Sequence, residues 1–426
     1  MLSEPIATSD VELRQWYDRV RQRTTALTKG LSAEDMMLQS MPDASPTKWH
    51  LAHTSWFFET FALKPHLPHY RVFDADYEYL FNSYYDSVGE RHPRPARGLL
   101  SRPSADEVFA YRRHIDDAML ALIDTAPSKT VADIIVTGLH HEMQHQELIL
   151  TDIKHALAQN PSAFSSGHAS ASLPTSAAQI ATDSAPLEVA FSAFTEGLYW
   201  IGAEPTDFSY DCERPRHRVF CNAFSLSNAP VTNGQWLAFM AAGGYQDPAW
   251  WLSDGWDCKQ KNQWQAPLYW QEVNGEWFEC QLDGYQPINL AAPVCHISYF
   301  EADAFARWAG YRLPREFELE IAATQSAAQG NFAESDRWQP QPAAAGEGLK
   351  QVYGDVWEWT SSSYSPYPGF TPEQGALGEY NGKFMVNQYV LRGGSCATAQ
   401  AQMRPSYRNF FYPHQRWQFS GLRLAQ

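Results

Sequence analysis

Between Asn160 and Glu188 the chain runs NPSAFSSGHASASLPTSAAQIATDSAPLE, rich in Ser, Ala and Pro and almost without large apolar side chains. Such a stretch cannot bury enough surface to offset the entropy of ordering it, so it reads as a linker or long surface excursion. It divides the 426 residues into halves of different chemistry. Ten of the 14 histidines precede residue 160, whereas 13 of the 16 tryptophans and all six cysteines follow residue 198. The expected organisation is a first domain at 8–158, a linker at 159–188 and a second domain at 189–426.

Composition excludes several classes. The net charge, 32 − 48 = −16, argues against a nucleic-acid partner. No apolar run approaches the roughly 18 residues a membrane span needs. The start, MLSEPIATSDVELRQWYDRV, is polar and shows no h-region, so a secretory signal is not expected. Six cysteines are too few for a disulfide scaffold in a chain this long. A soluble, cytoplasmic protein without a membrane partner is expected.

In the first part, residues 9–28, 48–63, 105–124 and 130–158 carry apolar positions at helical spacing. Ser45-Pro46 reads as a cap and early proline opening the second segment. Four long helices with a crossover at 64–104 predict a four-helix bundle. The second part has short segments punctuated by Gly, Pro, Asn and Asp, and predicts a loop-rich α+β domain. One helix stands out there, SYFEADAFARWA, with Ser298 as its cap.

The chemistry concentrates in GLHHEMQHQEL, residues 138–148. His141 and His145 stand at i, i+4, so their imidazoles share one helix face and can converge on one ion. A first-row metal needs at least one further donor. His53, in KWHLAHTSW, can supply it from another helix; His50 and His140 compete for these roles. Glu147 can orient a ligand from behind. HEMQH also matches the HExxH pattern of zinc proteases, with Glu142 at the general-base position.

The second part offers phrases rather than a catalytic cluster: WIGAE, NAPVTNGQW, GDVWEWT, LRGGS and GLR. Near its end Asn409, Phe410 and Phe411 follow Arg408. Polar and aromatic together, they suit a quaternary ammonium ligand.

With SPTKWHLAHTSWFFETF and HHEMQHQEL in the first half and these phrases in the second, the chain resembles the ergothioneine-biosynthetic sulfoxide synthases over nearly its full length. The resemblance implies a DinB-like bundle followed by a formylglycine-generating-enzyme-like, C-type-lectin-related domain. It implies a mononuclear iron(II) held by His53, His141 and His145. It also implies O₂-dependent joining of a thiol to the imidazole C2 of hercynine (Nα-trimethylhistidine), with oxidation of sulfur to the sulfoxide. Gln144 is expected to bond the substrate ring, Asn409 its carboxylate, and Phe410 to face its trimethylammonium.

In SYYDSVG, Tyr85 is the expected proton or hydrogen donor, with Tyr84 as its support. The family's other branch takes this tyrosine from the stretch after WEWT; here that stretch, GFTPEQGALGEY, lacks one at the matching place, although Tyr380 is nearby. Phe411 stands where the γ-glutamylcysteine-using branch has an aspartate, so free L-cysteine is the expected thiol. Arg94 and Arg97, in the run that also holds Arg91, would hold its carboxylate. Cys396 has no second cysteine after it, which argues against formylglycine generation. Two other readings compete. A zinc-dependent thiol S-transferase leaves the Trp-rich half unexplained, and a non-catalytic lectin-like module leaves the histidines unexplained.

Overall fold

The structure is a computed structural model, and it describes residues 10–160, 189–204 and 208–426. Most of the expected linker, 161–188, lies outside these. The described residues form two compact units. One holds 10–160 together with Glu373–Tyr380; the other holds the remainder of the second half.

The first unit is built on α1 (Asp10–Ala26), α2 (Thr47–Phe58), α3 (Ala105–Ile123) and α4 (Lys129–Ala158). Helix α2 packs on α3 and α4, and α1 packs on α4. All twelve residues of α2 are buried. A helix enclosed on every side has no solvent face to give to polar groups, so its Lys48, His50, His53 and Ser55 must find partners inside. Ser104 and Ser128 cap α3 and α4, the former in a capping box with Glu107.

Two local features depart from the sequence reading. Ser45 does not cap α2, whose N-cap is Pro46. Instead the Ser45 amide donates to Asp152 Oδ2 at 2.8 Å and its hydroxyl accepts from Arg97 at 2.9 Å. Helix α2 also runs on through a wide π turn, Glu59–Leu63. Pro65 follows and has no N–H to return to Phe61, and a wider turn relieves the clash of its ring with that carbonyl.

Gly138 sets how closely α2 and α4 approach. A Cβ there would meet the Phe58 ring at 2.5 Å and the Phe57 ring at 2.8 Å. Any larger residue would push apart the two helices that carry the histidines.

Among its described residues the second unit has four α-helices, α5 (Asn233–Ala241), α6 (Ser253–Asn262), α7 (Tyr299–Trp308) and α8 (Glu316–Thr324). Ser298 caps α7, as the sequence predicts. Its strands make four small sheets. β1 (Phe191–Phe194) pairs with β4 (Phe224–Ser227), and β2 (Gly197–Ile201) with β3 (His217–Cys221). β5 (Trp270–Val273), β6 (Glu276–Gln281) and β7 (Gly284–Pro287) form a meander. The fourth sheet has the order β10-β9-β8-β11, from β8 (Trp357–Ser363), β9 (Tyr389–Arg392), β10 (Asn409–Phe411) and β11 (Ser420–Gly421).

Aromatic packing takes the place of long regular elements. Trp236, Phe239, Tyr245, Phe305, Trp357 and Trp359 share one core, and Trp236 stacks on Phe305 at 5.1 Å. Buried ion pairs such as Arg423–Glu358 and Arg408–Glu316 tie loops to it. All six cysteines are free. Among the described residues no helix is long and apolar enough to cross a membrane.

Candidate metal centre

His53 on α2 meets His141 and His145 on α4, with one ligand atom from each lying within 4.8 Å of the others. His53 Nε2 is 3.2 Å from His141 Nε2. Two nitrogens bound at about 2.0–2.1 Å to one ion at ordinary ligand angles lie roughly 3.0–3.4 Å apart, so the pair is already at ligand spacing.

Their surroundings suit a metal. His53 Nδ1 donates to the Phe81 carbonyl at 2.6 Å, which leaves the lone pair on Nε2. His145 Nδ1 is engaged by His50 Nδ1 at 2.8 Å. His141 Nδ1 is buried without a hydrogen-bond partner. Burial, reinforced by the neighbouring imidazoles, holds the His53 and His145 pKa values well below the usual histidine value. Burial alone dominates for His141, pulled down to about 4. All three are therefore neutral near pH 7, the state in which imidazole ligates. Three convergent neutral nitrogens fit a divalent first-row ion.

The competitors are placed elsewhere. His50 bonds His145 and Asp152, and His140 packs against Trp16 at 5.4 Å. Glu142 cannot serve as a protease base. It is fully buried and receives Arg21 Nη1 and Arg112 Nη2, each at 2.9 Å. Burial alone would raise its carboxyl, but the two guanidiniums more than offset that and bring it to about 2.

Aromatic rings enclose the centre. His53 lies between Trp49, stacked at 4.5 Å, and Trp56, at 5.4 Å. Arg97 covers the Trp49 ring at 3.4 Å. Trp56 leads to Tyr85 at 5.6 Å, and Phe61 from the π turn meets Tyr85 at 5.2 Å. Burial raises the Tyr85 phenol far above its usual value, so it keeps its proton.

Around the tyrosines, Arg94 reaches the Tyr84 hydroxyl and the Asp43 carbonyl. Arg97 is buried and its side chain bonds only the Ser45 hydroxyl; neither Arg94 nor Arg97 makes an ion pair among the described residues. Burial lowers Arg97 to about 9. Arg91 is exposed and pairs with Asp86.

Tyr380 was legible only as a nearby residue. It packs edge-on to Tyr84 at 5.8 Å, because Glu379 beside it receives the Asp86 and Ser87 amides at 2.9 and 3.2 Å. Gln144 is half-buried on α4. Asn409, Phe410 and Phe411 stand together as β10 of the second unit, where Asn409 Oδ1 accepts from the Phe410 amide at 2.9 Å. Phe410 stacks on Tyr364 at 4.1 Å, and Phe411 meets Trp417 edge-on.

A helical bundle with three facing histidines, joined to a loop-rich aromatic unit, defines a two-domain protein of known kinds. Residues 17–149 match the DinB superfamily, and residues 182–347 and 342–426 match the sulfatase-modifying factor enzyme 1-like domain. Hercynine oxygenase of Mycolicibacterium smegmatis is 32% identical, over 95% of this chain and 96% of its own. The namesake of Mycolicibacterium thermoresistibile is 33% identical, over 97% and 94%, and that of Mycobacterium tuberculosis 32%, over 98% and 99%. The chain belongs to the hercynine oxygenase family, the sulfoxide synthases of ergothioneine biosynthesis. It is an oxygen-dependent oxidoreductase.

Proposed function

We propose that this protein joins the sulfur of free L-cysteine to the imidazole C2 of hercynine, with O₂ giving one oxygen to sulfur and the other leaving as water with the thiol and C2 hydrogens, and releases hercynylcysteine sulfoxide. The ion is read as mononuclear iron(II), held by His53, His141 and His145. Carrying this reading is the convergence of three neutral imidazoles, with the His53 tautomer fixed by the Phe81 carbonyl. When bound, the ion supplies open positions for thiolate, substrate imidazole and O₂.

The chain's own groups do the rest. Tyr85, protonated and buried, donates a proton or hydrogen, with Tyr84 held by Arg94 as its support. Arg97 is a buried cation that makes no ion pair among the described residues, and with Arg94 it binds the cysteine carboxylate. Trp49, Trp56 and Phe61 exclude water. Gln144, Asn409, Phe410 and Phe411 are assigned to substrate binding by the family resemblance. Six free cysteines support a reducing, cytoplasmic setting.

The test is metal analysis of protein purified anaerobically, followed by turnover with cysteine, hercynine and O₂. Stoichiometric iron and sulfoxide product are expected. Tightly held zinc without O₂ consumption would instead indicate a thiol S-transferase, and no metal a binding module.

A further inference from the structure

The geometry points to His50 and Asp152 as positioning residues that fix His145 for the ion, an inference that rests on the metal-centre reading and adds two residues to it. Asp152 Oδ2 accepts the Ser45 amide at 2.8 Å and lies 3.1 Å from His50 Nε2. A carboxylate already receiving an N–H has lone pairs to offer, so His50 Nε2 carries its hydrogen. The lone pair of a neutral His50 is then on Nδ1, 2.8 Å from His145 Nδ1. His145 must donate there, and its own lone pair is left on Nε2, the nitrogen that His50 does not engage.

The sequence encodes this chain of contacts at two places. Asp152 stands seven residues after His145, two turns along the same face of α4. His50 stands three before His53 on α2, with the Trp49 ring edge-on to it at 5.7 Å. His50, Asp152 and His145 are all buried, so water cannot replace the links. The ligands are thereby made unequal. His53 leans on a neutral carbonyl, whereas His145 leans through His50 on a carboxylate, which makes it the more basic donor.

Fe(II) titration of metal-free full-length protein, under anaerobic conditions against a competing chelator, tests this; Co(II) absorption reports the ligand field. H50L should bind about 10–100-fold more weakly, and D152N about tenfold. H50Q, whose amide can accept from His145 and donate to Asp152, should recover most of the loss. Melting temperatures of the metal-free proteins are measured alongside. If H50L fails to fold, the near-isosteric D152N decides. Affinity equal to wild type in D152N overturns the proposal, and so does an H50Q variant as weak as H50L. Should the wild type itself take up neither ion, the metal-centre reading falls and this proposal with it.

Discussion

Two buried polar clusters share helix α4, and they begin one residue apart. Glu142 enters a charged network in which Arg21, Arg112, Ser55, Thr54 and Asp116 answer one another with hydrogen bonds. His141 enters a neutral cluster in which nitrogens face nitrogens at 3.2 Å and one ring nitrogen has no partner. The first cluster pairs its carboxylates with guanidiniums and leaves a single buried nitrogen, Arg112 Nε, without a partner among the described residues. The second is held in place by its surroundings, with three imidazoles converging on one point. Buried nitrogens cost stability when unpaired, and a shared ion is the partner that would satisfy all three at once.

The comparison predicts opposite phenotypes for neighbouring substitutions. Glu142→Ala leaves two buried guanidiniums without their carboxylate and should cost about 3–5 kcal/mol in denaturant unfolding of the metal-free protein. His141→Ala should cost about 1 kcal/mol or less yet remove most bound iron. Full iron content in His141→Ala would return His140 to consideration as the ligand.

The next effect in size concerns helix approach. Gly138→Ala puts a methyl group into the Phe57 and Phe58 rings, and overpacking of this kind costs about 1–3 kcal/mol. Because α2 and α4 carry the three histidines proposed as ligands, iron affinity should fall as well. An unchanged affinity at reduced stability would show that the histidines tolerate helix separation.

How far the sequence reveals these clusters depends on how local each contact is. The i, i+4 pair His141 and His145 is legible because one helix brings the two together, and His53 because α2 is periodic enough to be predicted. The π turn at Glu59–Leu63 is not legible, since its cause is a proline beyond the predicted helix end. The Ser45 cap fails because Arg97, far along the chain, takes the hydroxyl. Neither is the His50–Asp152 contact, which joins residues 102 apart. Tyr380 is located by its edge contact with Tyr84 and by the Glu379 carboxylate on two distant amides, all remote in sequence.

Tyr85→Phe should change stability by about 1 kcal/mol or less, because the ring keeps its contacts with Trp56 and Phe61. Iron and substrate binding should persist while the product shifts from sulfoxide toward oxidised thiol. An unchanged sulfoxide yield would transfer the donor role to Tyr380 or Tyr84. Tyr380→Phe, alone and combined with Tyr85→Phe, separates these cases by product ratio.

Arg97 should show the smallest stability effect and sharpens the comparison most. Unlike Arg21, it is buried without an ion pair among the described residues; its guanidinium rests on the Trp49 face and one serine hydroxyl. Replacing a buried charge by an apolar side chain of similar length is often neutral or stabilising. Arg97→Met should therefore melt at or above the wild-type temperature. If the guanidinium holds the cysteine carboxylate, losing that charged hydrogen bond should weaken thiol binding by about 1.5–3 kcal/mol, or about 10–150-fold. The rise should appear in KM for cysteine, with KM for hercynine and iron content unchanged. A stability loss of several kcal/mol would instead move Arg97 into the structural class with Arg21. Competition between cysteine and γ-glutamylcysteine completes the test, because Phe411 offers no acceptor for the larger substrate's amide or ammonium. Predominance of the dipeptide product would overturn the cysteine assignment and leave the family assignment standing.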